Sequence, residues 1–483
     1  MALGNPLLTV SEPRTHKAEA ESAWSALART GLPKRPVAER VADFLEIYGL
    51  YDEVAAQEQA SRCIQCPEPT CVSGCPMHAH IPEWLALTAE GHFNEAATVL
   101  QNTSSLSELC ERVCPAEHLC EAQCVINGRT EPVSVRAVEH FLNEYAFAHG
   151  VMPASVPPPN GWRVAIVGAG PGGLACADEL VRRGYAVTVF DPRAVPGGLL
   201  VYGTPAFRLE RAIIERRIEL LEKRGVVFRM GIGFKRDALR TELLANFDAV
   251  YLGFGIKKAH ALDVPGADLQ GVSQALPFIV QGNIDLPPAT PPIEVTGQRV
   301  IVLGGGDTAI DCLRTAVRGG AREVIGIYRR DEDSMPCSHR EYTNALEEGV
   351  RFVFQAAPVA LLDNGSGAVR GLRLVRTTLG EPDADGRRPF AAEAGSEFEV
   401  EADRVFLALG FDPEPLPESS PFRDLTLNEN GAVVVDGAQM TSLPGVFAGG
   451  DLVRGPSTAL HSVRDARKAA AGIHSHLSLR SGA

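Results

Sequence analysis

Short apolar runs alternate with a helical pattern in two separate stretches of this chain. In the first stretch, the apolar runs 163–167 and 186–191 flank a glycine-rich turn and a segment with helical periodicity. The second stretch begins at Arg299 and repeats the same order as far as Arg330. Strands that alternate with amphipathic helices are typical of βαβ units in a parallel sheet. The pattern therefore predicts two Rossmann-like nucleotide-binding domains of the α/β class.

The amino-terminal third of the chain has a different pattern. Apolar and polar residues recur at helical spacing over 37–60, 82–100 and 133–149, and loops that contain cysteine separate these segments. An all-helical domain over residues 1–155 is therefore predicted. The proline-rich stretch 152–161 follows, and because proline cannot continue a helix, it predicts a domain boundary.

Composition places the chain among globular proteins with several domains. It has 483 residues, of which 45% are apolar and 22% charged, and no apolar run of about eighteen residues that would cross a membrane. With 46 Lys and Arg against 60 Asp and Glu, the formal net charge is −14, which disfavours nucleic acid and anionic membranes as partners. Residues 1–14 lack the basic and apolar regions of a signal peptide, so we expect a cytoplasmic location.

Eight of the eleven cysteines fall in two dense groups. They are Cys63, Cys66, Cys71, Cys75, Cys110, Cys114, Cys120 and Cys124. Closely spaced thiolates, with proline directly after Cys75, match the ligand pattern of iron–sulfur cubanes, and eight of them nominally hold two [4Fe–4S] clusters. Disulfide frameworks belong to small secreted domains, and structural zinc usually needs paired Cys-x2-Cys hooks, of which Cys63 and Cys66 form one. Iron–sulfur binding is therefore favoured over both alternatives.

The first glycine-rich turn has the features of a dinucleotide site. Gly168 permits a tight turn, Gly170 lets the backbone approach a pyrophosphate, and Gly173 allows helix and strand to pack closely. Pro171 lies in the same turn, at the helix N-terminus where the phosphate is expected. Asp191 ends the second strand, where an acid accepts hydrogen bonds from ribose hydroxyls and repels a 2′-phosphate. This turn is therefore expected to bind FAD or NAD.

The second glycine-rich turn differs from the first at both ends. It consists of Gly304, Gly305, Gly306, Asp307, Thr308 and Ala309. Ala309 replaces the third glycine, so we expect helix and strand to lie slightly further apart. The second strand ends in Arg329 and Arg330, whose guanidinium groups form bidentate bonds to phosphate oxygens. The arginine pair is expected to select NADPH over NADH, and the alternative is a solvated basic spot that closes a strand.

A further acid lies near the carboxyl terminus. An apolar strand is predicted over 445–451, and it ends in a turn that contains Gly450 and Asp451. These two residues are candidates to contact the ribityl and phosphate region of a flavin. A helical segment, 457–472, follows, and its positive N-terminus would favour negative charge on the pyrimidine ring of reduced flavin.

Two further motifs complete the set: Pro-Gly-Gly-Leu-Leu at 196–200, and Tyr-Arg-Arg-Asp at 328–331 followed by Met335 and Pro336. Together with the cysteine pattern and the two glycine turns, they resemble the small (beta) subunit family of bacterial NADPH-dependent glutamate synthase along nearly the whole chain. The resemblance adds Gly198 and Leu199 to the expected FAD contacts.

The resemblance also implies the domain organisation. A helical iron–sulfur domain, 1–155, is followed by an FAD domain made of 161–290 and 411–483. An NADPH domain, 291–410, is inserted in the FAD domain. The second nucleotide-binding fold therefore interrupts the first one.

The family further implies two interleaved clusters. One cluster would be bound by Cys63, Cys66, Cys71 and Cys124. The other would be bound by Cys75, Cys114 and Cys120, with Cys110 or Glu139 as the eighth ligand. Counting cysteines favours Cys110, whereas relatives use a Gln or Glu side chain at the position of Glu139. The run 458–467 departs from the family pattern, which leaves His461 as a neighbour of the flavin or, more simply, a core or surface histidine.

Function follows from the chemistry of these groups. NADPH delivers a hydride and a cubane accepts single electrons, so a flavin has to lie between them, and the hydride step needs no catalytic acid or base. The resemblance implies delivery to the large (alpha) subunit of glutamate synthase, which converts glutamine and 2-oxoglutarate to two glutamates. The alternative is a related subunit that serves ferredoxin, sulfide or a pyrimidine. A scaffold with vestigial nucleotide folds is disfavoured by the intact Asp191, Asp451, Arg329 and Arg330.

Overall fold

The computed structural model describes residues 23–151, 156–233, 237–283, 292–383, 388–413, 416 and 420–481. The chain divides into two compact units. The first comprises Met1–Pro33, Gly49–Glu111 and Ala116–Pro153, and the second comprises Lys34–Tyr48, Arg112–Pro115 and Ala154–Ala483. The segment Lys34–Tyr48 therefore belongs to the unit that contains both glycine turns.

Helices and loops make up the described amino-terminal part of the chain, as predicted. The helices are 23–26, Val37–Arg40, Glu53–Ser61, Thr70–Gly74, Ile81–Ala89, Phe93–Thr103, Ser107–Val113 and Val135–Ala148, with a 3₁₀ turn at Ala116–His118. Helix Val135–Ala148 lies within the predicted segment 133–149. Val138, Phe141 and Leu142 recur at helical spacing and are buried, and burial of this apolar stripe stabilises one continuous helix.

The helical pattern over 37–60 corresponds to two short helices with a non-helical stretch between them. Only Val37–Arg40 and Glu53–Ser61 are helical in this stretch. Asp52 starts the second of them, because its carboxylate accepts a hydrogen bond from Ala55 N at 2.7 Å and satisfies a donor that the helix leaves open. The residues before Asp52 are therefore free to follow a non-helical path.

The helical pattern over 82–100 likewise corresponds to more than one helix. The chain forms two helices here, Ile81–Ala89 and Phe93–Thr103. Gly91 lies between them with a φ of 77°, and a left-handed glycine is a common way for a helix to end. The apolar positions continue on both sides of Gly91, which is why the pattern resembles one helix.

A five-stranded parallel sheet lies at the first glycine turn. In spatial order its strands are Val446–Ala448, Ala249–Leu252, Arg163–Val167, Ala186–Asp191 and Val227–Met230. The predicted strands at 163–167 and 186–191 are confirmed, and they pair in parallel. Val446–Ala448 pairs with Ala249–Leu252, so the carboxyl-terminal part of the chain returns to the sheet in which the first glycine turn lies.

A second five-stranded parallel sheet lies at the second glycine turn. In spatial order its strands are Val272–Gln274, Arg404–Leu407, Arg299–Leu303, Glu323–Tyr328 and Arg351–Phe354. These strands all fall between Leu252 and Val446 in the sequence, so the second domain is inserted in the first, as predicted. The limits 161–290, 291–410 and 411–483 stay predictions.

The described residues also form two antiparallel sheets. One contains Ala356–Asp363, Val369–Leu379, Phe390–Ala392 and Phe398–Glu401, and the other pairs Lys258–Ala259 with Phe411–Asp412. The helices of the second unit beyond residue 156 are Pro171–Val181, Leu199–Tyr202, Arg211–Lys223, Asp237–Asn246, Ala275–Asn283, Asp307–Arg318, His339–Glu347, Asp451–Arg454 and Ala459–Ser481. Among the described helices none is long and apolar enough to span a membrane.

Burial explains why the parallel strands read as apolar runs. Every residue of Ala249–Leu252 is buried, as expected for a central strand with both faces covered. Full burial of one Val or Leu side chain contributes about 1.5–3 kcal/mol. Of the predicted linker, residues 156–161 carry neither helix nor strand, and 152–155 lie outside the described residues.

Candidate cofactor sites

Four predicted cluster ligands surround one cavity in the first unit. The cavity is lined by Cys63, Cys66, Cys71 and Cys124 and by apolar side chains that include Ile64, Ile81, Leu85 and Val133. The cavity itself has a volume of about 20 Å³, within about 390 Å³ of space that is partly open to solvent. Within the described residues, no group of three or more His, Cys, Asp or Glu side chains is placed to hold a single metal ion. Four thiols around an otherwise apolar cavity fit an iron–sulfur cluster.

The loop between Cys63 and Cys66 turns at Gln65. This residue has a left-handed φ of 51°. Its side-chain amide donates hydrogen bonds to Cys63 Sγ at 3.3 Å and to the carbonyl oxygen of Pro82 at 2.9 Å. The turn brings both cysteines to the same cavity, and an N–H donor at a ligand sulfur is one means of setting a cluster's potential.

The protonation of these cysteines also fits metal binding. Burial raises the pKa of Cys63 to about 12 and that of Cys71 to about 11. It also raises the pKa of Cys66. A buried thiolate is unfavourable without positive charge nearby. The raised pKa values keep these thiols protonated without a metal, and the iron of a bound cluster would supply the charge that lets them ionise.

Both candidates for the eighth ligand, Cys110 and Glu139, interact with Cys75. Cys75 interacts electrostatically with Glu139, and Cys110 interacts with both of them. Burial raises the pKa of Glu139 to about 8 and that of Cys110 well above its ordinary value. Cys114 and Cys120 are buried as well. Cys110 and Glu139 thus lie in the neighbourhood of Cys75, and both remain candidates.

The first glycine turn has the shape that a bound pyrophosphate requires. Gly168 has a φ of 109°. A Cβ on Gly173 would lie 1.9 Å from the carbonyl oxygen of Gly168, so only glycine allows this approach. Helix Pro171–Val181 begins after Gly170 without a side-chain cap, and the N–H groups of such a helix N-terminus bind phosphate. These residues fit a dinucleotide.

Asp191 is held by the backbone of the same turn. Its carboxylate accepts hydrogen bonds from Ala169 N and Arg193 N, both at 2.8 Å. These contacts fix the carboxylate at the strand end, where an acid binds ribose hydroxyls. Asp191 therefore orders the turn in addition to its predicted role.

Gly198 and Leu199 lie beside the first turn. Gly198 has a φ of 55°, and a Cβ there would lie 2.6 Å from Gly170 Cα. Leu199 follows at the start of a short helix and is 45% exposed. An exposed leucine next to a glycine turn offers apolar surface to a ligand. Their contact with FAD stays a prediction.

The turn near the carboxyl terminus depends on a residue that sequence reasoning missed. Ser457 donates to Asp451 Oδ1 from its backbone N at 3.2 Å and its hydroxyl at 2.9 Å. Burial raises the pKa of Asp451 to about 6. The missed residue is Asp465, whose fully buried carboxylate accepts hydrogen bonds from Gly450 N at 3.1 Å and Arg454 Nε at 2.7 Å. An acid on the inner face of a predicted helix is the signal that could have found it.

The helix after this turn is longer than predicted. It runs over Ala459–Ser481 rather than 457–472. Thr458 Oγ1 accepts a hydrogen bond from His461 N at 3.4 Å and pairs with His461 Nδ1 at 3.0 Å. Partial burial lowers the pKa of His461. His461 thus contributes to the start of this helix, and its place beside a flavin stays a prediction.

The second glycine turn is built like the first. Gly304 has a φ of 143°, and a Cβ there would lie 2.3 Å from the carbonyl oxygen of Ala408. Helix Asp307–Arg318 begins after Gly306 without a side-chain cap, so its N–H groups fit a second pyrophosphate. Asp307 and Thr308 are half-buried at the helix start.

The predicted arginine pair lies at the end of strand Glu323–Tyr328. Arg330 is half-buried and donates to the carbonyl oxygen of Arg388 at 2.8 Å and to the hydroxyl of Tyr328 at 3.3 Å. Arg329 is exposed, with its guanidinium 4.7 Å from the centre of the Phe390 ring. Partial burial and the charge of Arg330 lower the pKa of Arg329. Two neighbouring guanidinium groups fit a dianionic phosphate.

The fold and the two turns define an oxidoreductase with two dinucleotide sites. The pyridine nucleotide-disulphide oxidoreductase family matches residues 162–466. The family described as dihydropyrimidine dehydrogenase domain II, 4Fe-4S cluster, matches residues 40–151. Together these matches cover the cysteine region and both glycine turns.

Similar curated proteins identify the particular family. The glutamate synthase [NADPH] small chain of Escherichia coli is 43% identical over 92% of this chain and 97% of that protein. That of Azospirillum brasilense is 44% identical over 92% of this chain and 93% of that protein. The chain belongs to the glutamate synthase small-chain family. The putative oxidoreductase AegA of Escherichia coli is also similar, 39% identical over 98% of this chain and 73% of that protein.

A solved structure supports the α/β fold of the chain. Mycobacterium tuberculosis FprA in complex with NADPH superposes with a TM-score of 0.56 and 20% identity, over 68% of this chain and 86% of that one. At this identity the likeness concerns the fold alone.

Proposed function

We propose that this chain is the electron-transferring small subunit of a glutamate synthase. It binds NADPH at the second glycine turn, FAD at the first, and two [4Fe–4S] clusters through its amino-terminal cysteines. The observation that carries the proposal is the identity of 43% and 44% to glutamate synthase small chains over 92% of this chain. The four-thiol cavity and the two uncapped helix N-termini support it independently.

The proposed ligands are those that the family pattern implies, and the geometry described above supports part of them. One cluster is bound by Cys63, Cys66, Cys71 and Cys124, and the other by Cys75, Cys114 and Cys120 with Cys110 or Glu139. FAD is bound by Gly168, Gly170, Pro171, Gly173, Asp191, Gly198, Leu199, Gly450 and Asp451. NADPH is bound by Gly304, Gly306, Asp307, Thr308, Arg329 and Arg330.

These residues bind and orient the cofactors and do not themselves react. Arg329 and Arg330 hold the 2′-phosphate, and the N-terminus of helix Asp307–Arg318 holds the pyrophosphate. Asp191 accepts the ribose hydroxyls at the other site. A bound flavin supplies the conversion of a hydride into single electrons for iron–sulfur centres. Because hydride transfer needs no proton at the nicotinamide, no catalytic acid or base is assigned.

The electron acceptor is the large (alpha) subunit of the synthase, in which glutamine and 2-oxoglutarate yield two glutamates. The names of the similar small chains imply such a partner. A cytoplasmic location is consistent with the use of NADPH. The net charge of −14 supports a protein partner rather than nucleic acid or an anionic membrane.

Co-purification from the native source under anaerobic conditions tests the acceptor. We expect recovery of a larger chain, and NADPH-dependent formation of two glutamates from glutamine and 2-oxoglutarate by the complex. The isolated small chain should oxidise NADPH with an artificial acceptor but form no glutamate. A small chain that purifies without a glutaminase-type partner would contradict this assignment.

A second candidate is an electron-transfer protein for another acceptor. It is favoured by the putative oxidoreductases AegA and UacF, which are 39% identical to this chain. The chain matches 73% and 71% of their lengths. Recovery of ferredoxin or another redox protein in the same co-purification would favour this candidate.

A further inference from the structure

Two residues of the domain that contains the first glycine turn lie against the helix that follows the second glycine turn. Phe207 and Arg208 precede helix Arg211–Lys223, and the second unit contains both of them together with helix Asp307–Arg318. Phe207 is fully buried. The guanidinium groups of Arg314 and Arg318 lie 4.3 Å and 4.0 Å from the centre of its ring. Phe207 and Arg208 are called the interdomain wedge below.

Arg208 binds the helix in two places. Its Nη1 donates to both oxygens of Asp311, each at 2.9 Å. Its Nη2 lies 3.7 Å from Asp307 Oδ2, at the first residue of the helix. Since Arg208 is only 7% exposed, these contacts are poorly screened by water. Arg208 therefore links the domain that contains the first glycine turn to the second glycine turn through ion pairs.

The charges around Arg208 are arranged to keep it ionised. Burial alone lowers the pKa of Arg208, but Asp311, Glu341 and Asp307 outweigh burial and raise it. Burial likewise opposes ionisation of Glu341, yet Arg208, Arg340 and Arg314 hold its pKa well below the usual range. A buried arginine with several carboxylates keeps its charge, so it can act electrostatically on the turn.

The carboxylate of Asp307 is the reason why the second turn needs the positive charge of Arg208. Its side chain is 41% exposed and stands at the helix N-terminus, where the pyrophosphate is proposed to bind. A carboxylate at this place repels phosphate unless its charge is compensated. Two groups face it: Ser338 N donates to Asp307 Oδ1 at 2.9 Å, and the positively charged Arg208 Nη2 lies 3.7 Å from Oδ2, within ion-pair range.

The amino-terminal segment Lys34–Tyr48 closes over the wedge. The ring centres of Phe44 and Phe207 are 6.1 Å apart, and Ile47 N donates to the carbonyl oxygen of Phe207 at 3.3 Å. Arg318 Nε donates to the carbonyl oxygen of Asp43 at 3.0 Å. The wedge is therefore enclosed and has little freedom to leave the helix.

We propose that Arg208 is a positioning residue that reaches from the flavin domain to the nucleotide domain, compensates part of the charge of Asp307 and thereby favours binding of a pyrophosphate at the second turn. It fixes the turn relative to the flavin domain at the same time. The inference rests on the proposed binding of NADPH at this turn. Because NADPH and NADH share the pyrophosphate, Arg208 supports both nucleotides equally.

The test is the reduction of bound flavin by NADPH and by NADH in the holoprotein with Arg208→Gln. We expect the KM for both nucleotides to rise by the same factor, at least about tenfold, with FAD content and reduction by dithionite unchanged. The double variant Arg208→Gln with Asp307→Asn should recover much of the loss, because asparagine keeps a polar side chain at this nucleotide-binding position and removes only the negative charge that Arg208 compensates.

Arg224→Gln is the matched control. Arg224 is buried and donates to Asp178 at 2.6 Å, within the domain of the first turn. Its loss should lower thermal stability without changing either KM. A purely structural role of Arg208 would give the same result as this control.

Wild-type KM values in folded, flavin-loaded Arg208→Gln would overturn the proposal, as would no recovery in the double variant. Should Arg208→Gln not fold, Arg208→Lys decides, since its single ammonium can replace Nη1 at Asp311 but has no second nitrogen to replace Nη2 beside Asp307. A smaller, equal rise in both KM values supports the proposal, and unchanged values overturn it. If NADPH fails to reduce the flavin of the wild-type protein, the proposed function fails instead.

Discussion

Arg330→Ala should weaken NADPH binding far more than Arg329→Ala does. Arg330 is held in place by the carbonyl oxygen of Arg388 and the hydroxyl of Tyr328, so it loses little freedom when it binds a phosphate. A hydrogen bond to a charged group contributes about 1.5–3 kcal/mol, and about 1.4 kcal/mol is tenfold in affinity. We therefore expect a loss of about 10- to 100-fold for Arg330→Ala.

The exposed arginine should matter less. Arg329 is exposed to solvent, and exposed charge pairs contribute about 0.2–1 kcal/mol. The expected loss for Arg329→Ala is about 1.5- to 5-fold. NADH lacks the 2′-phosphate, so both variants should bind it like the wild type.

The assay is anaerobic stopped-flow reduction of the bound flavin, with the apparent Kd obtained from rates at varied nucleotide concentration. Arg351→Ala is the matched control, because Arg351 is an exposed arginine that pairs with Glu323 at 2.7 Å at the opposite end of the same sheet. It should change neither Kd. Equal losses for NADPH and NADH, or a larger loss for Arg329→Ala than for Arg330→Ala, would refute the reasoning.

Three further outcomes test the other sites. Cys66→Ser should lower the iron content while flavin stays bound, as measured by iron and flavin analysis. The control is Cys337→Ser, in the core of the nucleotide domain, which should leave the iron content unchanged. Gly173→Ala should abolish FAD binding, because the new Cβ would lie 1.9 Å from the carbonyl oxygen of Gly168. The control is Gly437→Ala, whose new Cβ would have no atom within 4 Å, and it should bind FAD normally. Anaerobic removal of iron by a chelator should stop electron transfer to a one-electron acceptor but leave reduction of the flavin by NADPH intact, since other residues form those sites.

The two nucleotide-binding domains could be predicted because their signals are local. In each domain an apolar strand, a glycine turn and a helix follow one another directly, and the acid or arginines at the end of the next strand are near in sequence. Gly168 and Gly304 both adopt the left-handed φ that such turns need. Both glycine turns could therefore be predicted without knowledge of contacts between residues that are distant in sequence.

The helix ends and the charge contacts depend on distant partners. The stretch 37–60 has a helical pattern, yet Ile47 is buried and bonds to the carbonyl oxygen of Phe207, so tertiary packing overrides local preference there. Asp465 and Arg208 bind groups that are remote in sequence, Gly450 and Asp311. The pattern can mark a buried acid such as Asp465 as unusual, but it does not identify the partner to which such a residue binds.

The central claim is that electrons enter as a hydride at the second glycine turn and leave singly through the amino-terminal cysteines. Anaerobically isolated protein should be analysed for flavin, iron and acid-labile sulfide, and then titrated with NADPH while flavin absorbance is followed. The account predicts about one FAD, eight iron and eight sulfide per chain, with bleaching of the flavin by NADPH. Protein with all thiols intact that holds no sulfide, or a flavin that NADPH leaves oxidised, would contradict it.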